Sequence, residues 1–254
     1  MLADGKTRLA TLFQAGSAKV RLPRVHGGEP PLAVLLNTAG GLTGGDRLSI
    51  AVEVGAGATA VATTQAAERL YRSIGGAATI DCRLTVGAEA RLDWLPQETI
   101  VFDGAALDRT TTIELAPGAR LLALESFVLG RAAMGERVRR ATLADRWRIV
   151  RDGRLVFADA LRLDGDSTEI LAGPATGGGA AAFATLVIVE PDGEAALAAV
   201  RAALDATGIE AGASRLDEIV VARLLAADGT ALRRALAAVL TALRGRAPPR
   251  VWSC

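Results

Sequence analysis

Three stretches of this chain share one pattern of apolar and polar positions. SIAVEVGAGATAVATT begins at Ser49, IDCRLTVGAEARLDWL at Ile80 and TTIELAPGARLLALES at Thr111. Each has an alternating run, a short turn of small residues (GAGA, GAEA or APGA) and a second alternating run. Alternation with period 2 marks strands with one buried face. The turns recur about every 30 residues, a spacing expected of stacked β units that bury a shared core. In the second stretch Ile80, Cys82, Leu84 and Val86 alternate with Asp81, Arg83 and Thr85. That phase puts the Cys82 thiol on the apolar face, as a buried structural group.

Further along, DRWRIVRDGRLVFADAL holds two β-rich runs around Asp152-Gly153. Asp-Gly between such runs predicts a tight hairpin. Residues 1–165 therefore read as a mostly antiparallel β body. The remainder changes period. FATLVIVE (183–190) is a buried strand pattern, and EAALAAVRAALDAT places Leu197, Val200 and Leu204 on one helical face, with Asp192 as N-cap. EIVVARLL is ambiguous between strand and helix, with Ile219 to Val221 favouring a strand. GTALRRALAAVLTALRG predicts a second amphipathic helix, capped by Thr230 and stopped by Gly245 before Pro248 and Pro249. The expected fold is mainly β. A β-helical or stacked antiparallel body over 1–165 carries a strand–helix–strand–helix part over 166–254, with two C-terminal α-helices, in a single domain.

Composition narrows the function. Half of the 254 residues are hydrophobic and the formal net charge is +1. A near-neutral chain lacks the basic face a nucleic-acid binder needs. Asp4, Lys6 and Arg8 at the start do not make a secretory signal, and AAAFATLVIV is too short to span a bilayer. Two cysteines far apart, Cys82 and Cys254, imply no disulfide framework. A cytoplasmic protein that binds neither nucleic acid nor membrane is expected. The mean hydropathy of +0.30 predicts poor solubility unless a partner covers apolar surface.

The charged motifs are suggestive one by one. NTAGGLTGGDRL carries Gly40, Gly41, Gly44 and Gly45 directly before Asp46 and Arg47. It lacks the Gly-Lys-Ser/Thr ending of a phosphate loop, and it runs into a strand rather than a helix. A strained turn where backbones approach closely, or a recognition site, remains. TTQAAERLYRS (63–73) holds Glu68, Tyr71 and Arg72. On a helix Glu68 and Arg72 would be an i,i+4 pair; otherwise the stretch is a solvated connection. WLPQETIVFDGA places Glu98 and Asp103 around an apolar run, and LESFVLGRAAMGE adds Glu125, Arg131 and Glu136. Glu98 and Asp103 could serve as paired catalytic carboxylates, so a stacked-β carbohydrate-active enzyme is an alternative reading. The low aromatic content of 4% argues against sugar platforms. With His26 the sole histidine and no Cys-x-x-Cys spacing, a tight zinc or nickel site is not expected.

NTAGGLTGGDRL, TTQAAERLYRS, WLPQETIVFDGA, VLGRAAMGE and DGRLVFADALRLDG, in this order and spacing across roughly residues 28–165, resemble the urease accessory protein UreD family, called UreH in some species. The C-terminal third and the closing RVWSC are similar as well. The resemblance implies a non-enzymatic urease maturation chaperone with a β-helical body. It implies a helical UreF-like partner, a UreG-like GTPase recruited through it, and docking on apo-urease. Nickel would be cargo in transit through an internal tunnel, and no tightly bound cofactor is implied. On that reading Asp46, Glu68, Glu98, Asp103, Glu125 and Glu136 are candidate conduit or interface carboxylates. Transient nickel contacts fall to Asp46, Glu68 and Glu98, with Arg47, Tyr71, Arg72 and Arg131 beside the partner. Weak oxygen ligands suit rapid release of an ion.

Overall fold

The structure is a computed structural model, and it describes residues 1–25, 28–131 and 134–253. His26 and Cys254 lie outside the described residues. The chain begins with β1 (Leu2–Ala3), β2 (Lys6–Thr7), β3 (Ala18–Arg21), β4 (Leu32–Asn37), β5 (Arg47–Val54) and β6 (Thr59–Thr64). It continues through β7 (Glu68–Leu70), β8 (Ala78–Val86), β9 (Arg91–Leu95), β10 (Thr99–Val101), β11 (Ala105–Leu115) and β12 (Arg120–Leu129). Then come β13 (Arg140–Arg151), β14 (Arg154–Asp166), α1 (Ser167–Ala172) and β15 (Ala182–Val189). Last are α2 (Gly193–Asp205), β16 (Glu210–Leu216), β17 (Ile219–Ala226), α3 (Gly229–Arg244) and a short 3-10 turn, Arg250–Ser253.

The chain winds as a stack of coils. Each coil places a long strand in a five-stranded sheet, ordered β14-β13-β11-β8-β5, and then crosses to a ten-stranded sheet. The mainly β, stacked architecture with helices near the C-terminus is as the sequence leads one to expect. The pairing inside the stack differs from the antiparallel expectation. β5, β8, β11 and β13 pair parallel, and so do β4, β6, β9 and β12. The small-residue turns are therefore arcs, not hairpins. The strands flanking an arc belong to different sheets and bond to the next coil. The arcs themselves stack: the Gly57 amide donates to the Ala88 carbonyl at 2.8 Å and the Glu89 amide to the Pro117 carbonyl at 3.1 Å. Gly87 makes that stacking possible, because a Cβ there would stand 2.7 Å from the Ala56 nitrogen. Antiparallel pairing appears where the stack ends, in β13–β14 and in β12–β15–β17–β16. The Asp152-Gly153 turn is the expected hairpin. Both residues have positive φ, 50° and 75°, as a tight primed turn requires.

Burial explains the two hydrophobic patterns. The five-stranded sheet has one face in water, so in β8 every second residue is buried and those between are exposed, except the half-buried Asp81. The central strands of the ten-stranded sheet are covered on both faces and read as apolar runs, with seven of the eight β15 residues buried, while its edge strand β16 is mostly exposed. One core fills the space between the sheets around Leu84, Leu92, Trp94, Leu121, Trp147 and Val187, with Cys82 among them. A second lies under α2 and α3, where Val200, Leu204, Leu236, Val239 and Leu240 pack on Leu122, Leu124, Leu186 and Leu224.

The C-terminal third follows the expected order with two added elements and one different cap. EIVVARLL is the expected strand, β17, and it hairpins with an additional strand, β16. The cap of α3 is Asp228, which accepts from the Ala231 amide, rather than Thr230. A short third helix, α1, precedes β15. Asp192 caps α2 by accepting from the Ala195 amide, and Gly245 ends α3 in the left-handed conformation, as expected. No helix among the described residues is long and apolar enough to cross a membrane.

Candidate functional site

The short strands β7, β10 and the end of β12 stack in parallel at one corner of the coils, with Leu70, Val101 and Leu129 in register. TTQAAERLYRS thus contains a strand, and Glu68 and Arg72 are not helical neighbours. Two residues past each register position stand Arg72, Asp103 and Arg131, a column of alternating sign. Asp103 sits at its centre. It accepts from Arg72 at 2.6 Å and from the Arg139 and Arg140 amides at 2.9 and 3.1 Å. Those amides, Arg140 first, and the Arg72 guanidinium hold its carboxyl below the usual range. Arg131 donates to Glu136 at 2.6 Å, and its guanidinium lies over the Phe102 ring at 4.3 Å. Tyr71 meets Phe102 edge-on, with ring centroids 5.0 Å apart, and donates to the Gly40 carbonyl at 3.2 Å.

Gly41 lets the glycine-rich loop press against this corner: a Cβ there would lie 2.6 Å from the Arg69 carbonyl oxygen. Asn37 donates to the Gly41 carbonyl at 3.1 Å and to both oxygens of Glu68 at 3.2 and 3.3 Å. Burial raises the Glu68 pKa against those hydrogen bonds. Asp46 accepts from the Thr43 amide at 2.9 Å and closes the loop, while Arg47 is exposed. The corner therefore brings together Gly40, Gly41, Glu68, Tyr71, Arg72, Asp103, Arg131 and Glu136, with Gly44, Gly45, Asp46 and Arg47 on the adjoining loop.

Glu98 and Glu125 stand elsewhere. Glu98 accepts from Arg233 of α3 at 2.7 and 2.8 Å, and Arg233 also holds the Gln97 side chain and the Trp252 carbonyl at 2.9 Å. With the Trp252 indole donating to Thr63 Oγ1 at 3.1 Å, this clasp ties the C-terminal helix and tail to the stack. Glu98 and Asp103 stand apart, each paired with a different arginine, Arg233 and Arg72.

Glu125 belongs to a buried charged triad between the sheets. Arg109 on β11 donates to Asp145 on β13 at 2.8 and 3.0 Å and pairs with Glu125 on β12 at 2.5 Å. Trp94 donates its indole N–H to Glu125 at 3.2 Å. Each of the three charged side chains is about 5% exposed. One guanidinium thus serves two carboxylates. Burial pushes the Glu125 pKa up to about 7, opposed by Arg109 and reinforced by Asp145. Burial also raises Cys82, so that thiol stays protonated. Next to the triad is a narrow space of about 10 Å³ lined by Glu125, Asp145, Asp159 and Thr185 among Phe127, Trp147, Leu161 and Phe183. It matches roughly one water in size. At one side of it, Arg223 donates to Asp159 at 2.8 Å and to Thr185 Oγ1 at 3.3 Å. A larger cleft of about 410 Å³ lies between α2, α3 and the sheet end, but its ions pair internally, Arg91 with Glu190 at 2.6 Å.

Sequence reasoning found Glu125 and missed Arg109 and Asp145. The signal was present: Arg109 falls in phase with buried Leu107 and Ile113, and Asp145 with Leu143, Trp147 and Ile149. An in-phase charge on each of two one-face-buried strands marks a buried pair. Among the described residues no three His, Cys, Asp or Glu side chains gather as a metal-holding group.

The comparisons agree with the motifs. The family described as UreD urease accessory protein matches residues 2–253. A urease accessory protein UreD of Cereibacter sphaeroides is 54% identical over 248 residues, covering 98% of this chain and 90% of that protein. The UreD of a Methylobacterium species is 50% identical over 257 residues, covering 99% and 91%. That of Mesorhizobium japonicum is 50% identical over 256 residues, covering 99% and 90%. With the match running nearly end to end, the chain belongs to the UreD family of urease accessory proteins.

Proposed function

We propose that this chain is a non-catalytic scaffold in urease maturation. It joins a helical UreF-like protein, and through it a UreG-like GTPase, to apo-urease in the cytoplasm, and it assists passage of nickel into the urease site. The family match over residues 2–253 carries the reading. The nickel part rests on the family match, since among the described residues no three metal-binding side chains gather. Glu125 and Asp145 share a single cation, and with Asp159 they line a narrow space between the sheets. Carboxylate oxygens hold nickel less tightly than thiolate or imidazole, which suits cargo that must move on. Cys82, a soft donor beside the triad, is kept protonated by its burial.

The test is reconstitution. The purified chain is mixed with the cognate UreF-like and UreG-like proteins, apo-urease, GTP and Ni²⁺, and urease activity is read. The expected result is co-purification with both the UreF-like protein and apo-urease, and activation that depends on this chain. Equal activation without it, or failure to bind either partner, would overturn the proposal.

A further inference from the structure

The five-stranded sheet ends on one side at β5, which pairs with β8 alone. A strand at the end of a sheet presents a row of unpaired amides and carbonyls, and proteins usually blunt it. The other ends of the two large sheets are blunted. β14 carries a register shift opposite Ile149 and Val150. On β16, Arg201 of α2 donates to the Ala213 carbonyl at 2.9 and 3.2 Å. On β3, the Val20 amide donates to Gln14 Oε1 at 2.9 Å and the Ala18 amide to the Ala15 carbonyl at 3.1 Å. β7 is bridged by Leu42, whose amide donates to the Arg69 carbonyl at 2.7 Å. Among the described residues β5 has none of these devices. It has no bulge, no proline and no hydrogen bond on the side away from β8. The β1–β2 hairpin lies against the arc beyond Val54, where a Cβ on Gly55 would stand 3.3 Å from Met1 Cα.

The residues of this open edge are complementary to a reversed copy of themselves. Arg47, Ser49, Ala51 and Glu53 are exposed, while Leu48, Ile50 and Val52 between them are half-buried against the core. Arg47 and Glu53 form no ion pair among the described residues. Asp81, in register with Ser49, is held by Arg83 at 2.7 Å. Asp46, beside Arg47, lies outside the strand and accepts from the Thr43 amide. Antiparallel pairing of two β5 strands about Ile50 sets Arg47 of each copy opposite Glu53 of the other. It also sets Leu48 opposite Val52, Ser49 opposite Ala51, Ile50 opposite itself and Asp46 opposite Val54. Solvent-face positions thus meet solvent-face positions, and apolar positions meet apolar ones. A one-residue slip would set apolar side chains against the polar face, and a two-residue slip would lose both ion pairs. A two-fold interface requires such self-complementarity.

We propose that β5 is a homodimerisation edge: two copies of this chain pair their β5 strands antiparallel about a two-fold axis at Ile50, joining their five-stranded sheets into one continuous sheet. Main-chain hydrogen bonds supply the affinity, as in strand addition, and the two Arg47–Glu53 pairs set the register. The inference does not depend on the scaffold reading. Sedimentation velocity of the purified full-length chain over a dilution series measures the dimer dissociation constant. R47E and E53R are each expected to weaken the dimer by ~10-fold or more, because two symmetric attractions become two repulsions. The double variant R47E/E53R restores opposite charges across the axis and returns close to wild type. Arg47 and Glu53 are exposed, so thermal unfolding of all three variants, taken under dilute conditions, matches wild type and excludes a folding defect. Register is read by mixing S49C and A51C chains and oxidising them; the two cross-link to each other in preference to themselves. A wild type that is monomeric at every concentration, single variants that dimerise like wild type, a double variant as weak as the singles, or preferential self-linking overturns the proposal. Each of these leaves the scaffold standing.

Discussion

The Arg109 guanidinium on β11 crosses the space between the sheets to Glu125 on β12, Nη1 to Oε2 at 2.5 Å, while its other edge grips Asp145 on β13. Three charges sealed from water cost several kcal/mol each to desolvate. The triad persists because every member is hydrogen-bonded. Arg109→Met is expected to destabilise the chain by about 3–5 kcal/mol, as two carboxylates lose their only cation. Adding Glu125→Gln should recover part of the loss. Urea denaturation of the wild type and of both variants measures it.

The same triad predicts a pH dependence. The Glu125 pKa is raised from 4.5 to about 7 by burial, so the folded chain holds a proton that the unfolded chain releases. Stability from this group is full below about pH 4.5 and falls as pH rises through about 7, by on the order of a few kcal/mol. Glu68, raised by burial as well, contributes with the same sign. Glu125→Gln should flatten most of that slope in unfolding curves taken between about pH 5 and 8. An unchanged slope would show that Glu125 titrates normally.

The clasp between Glu98 and Arg233 is mostly buried, with 16% and 29% of the two side chains exposed. A double-mutant cycle with Glu98→Ala and Arg233→Ala should give a coupling of roughly 1 kcal/mol or more, because the bond is charge-assisted and bidentate on the carboxylate. Loss of the clasp should also speed limited proteolysis after α3. Additive effects would mean that tail and stack are held independently.

Gly41 has φ 154° and faces the Arg69 carbonyl oxygen at 2.6 Å from a would-be Cβ. Gly41→Ala should cost about 1–3 kcal/mol through strain and displacement of β7. Gly45→Ala meets no neighbour and pays only for its positive φ, so it should cost less. Thermal unfolding ranks the two.

Asp103 and Arg72 form a partly exposed pair, and such pairs contribute about 0–1 kcal/mol to stability. If the corner meets a partner, Arg72→Ala should leave the unfolding midpoint nearly unchanged yet reduce urease activation in cells. Activation equal to wild type would remove Arg72 from the interface.

Much of this chain was legible in its residues, for local reasons. The alternation of β8 reports one solvated face, the apolar run of β15, interrupted only by Thr185, reports two covered faces, and Asp152-Gly153 carries its own turn geometry. Caps at Asp192 and Gly245 need only neighbours within one helical turn. The family motifs are likewise contiguous strings. What no local signal fixed was which strand each strand meets. GAGA, GAEA and APGA can turn a hairpin or carry the chain to another sheet, and the choice is made by hydrogen bonds to the next coil, about 30 residues away. The same stacking decides the site. Arg72 finds Asp103 across 31 residues and Arg109 finds Asp145 across 36. The sequence by itself determined which faces are apolar, where the chain turns and which family it resembles. Only the tertiary structure decided which charges are partners and which side chain is left standing in water, because both depend on coil register, a contact between distant residues.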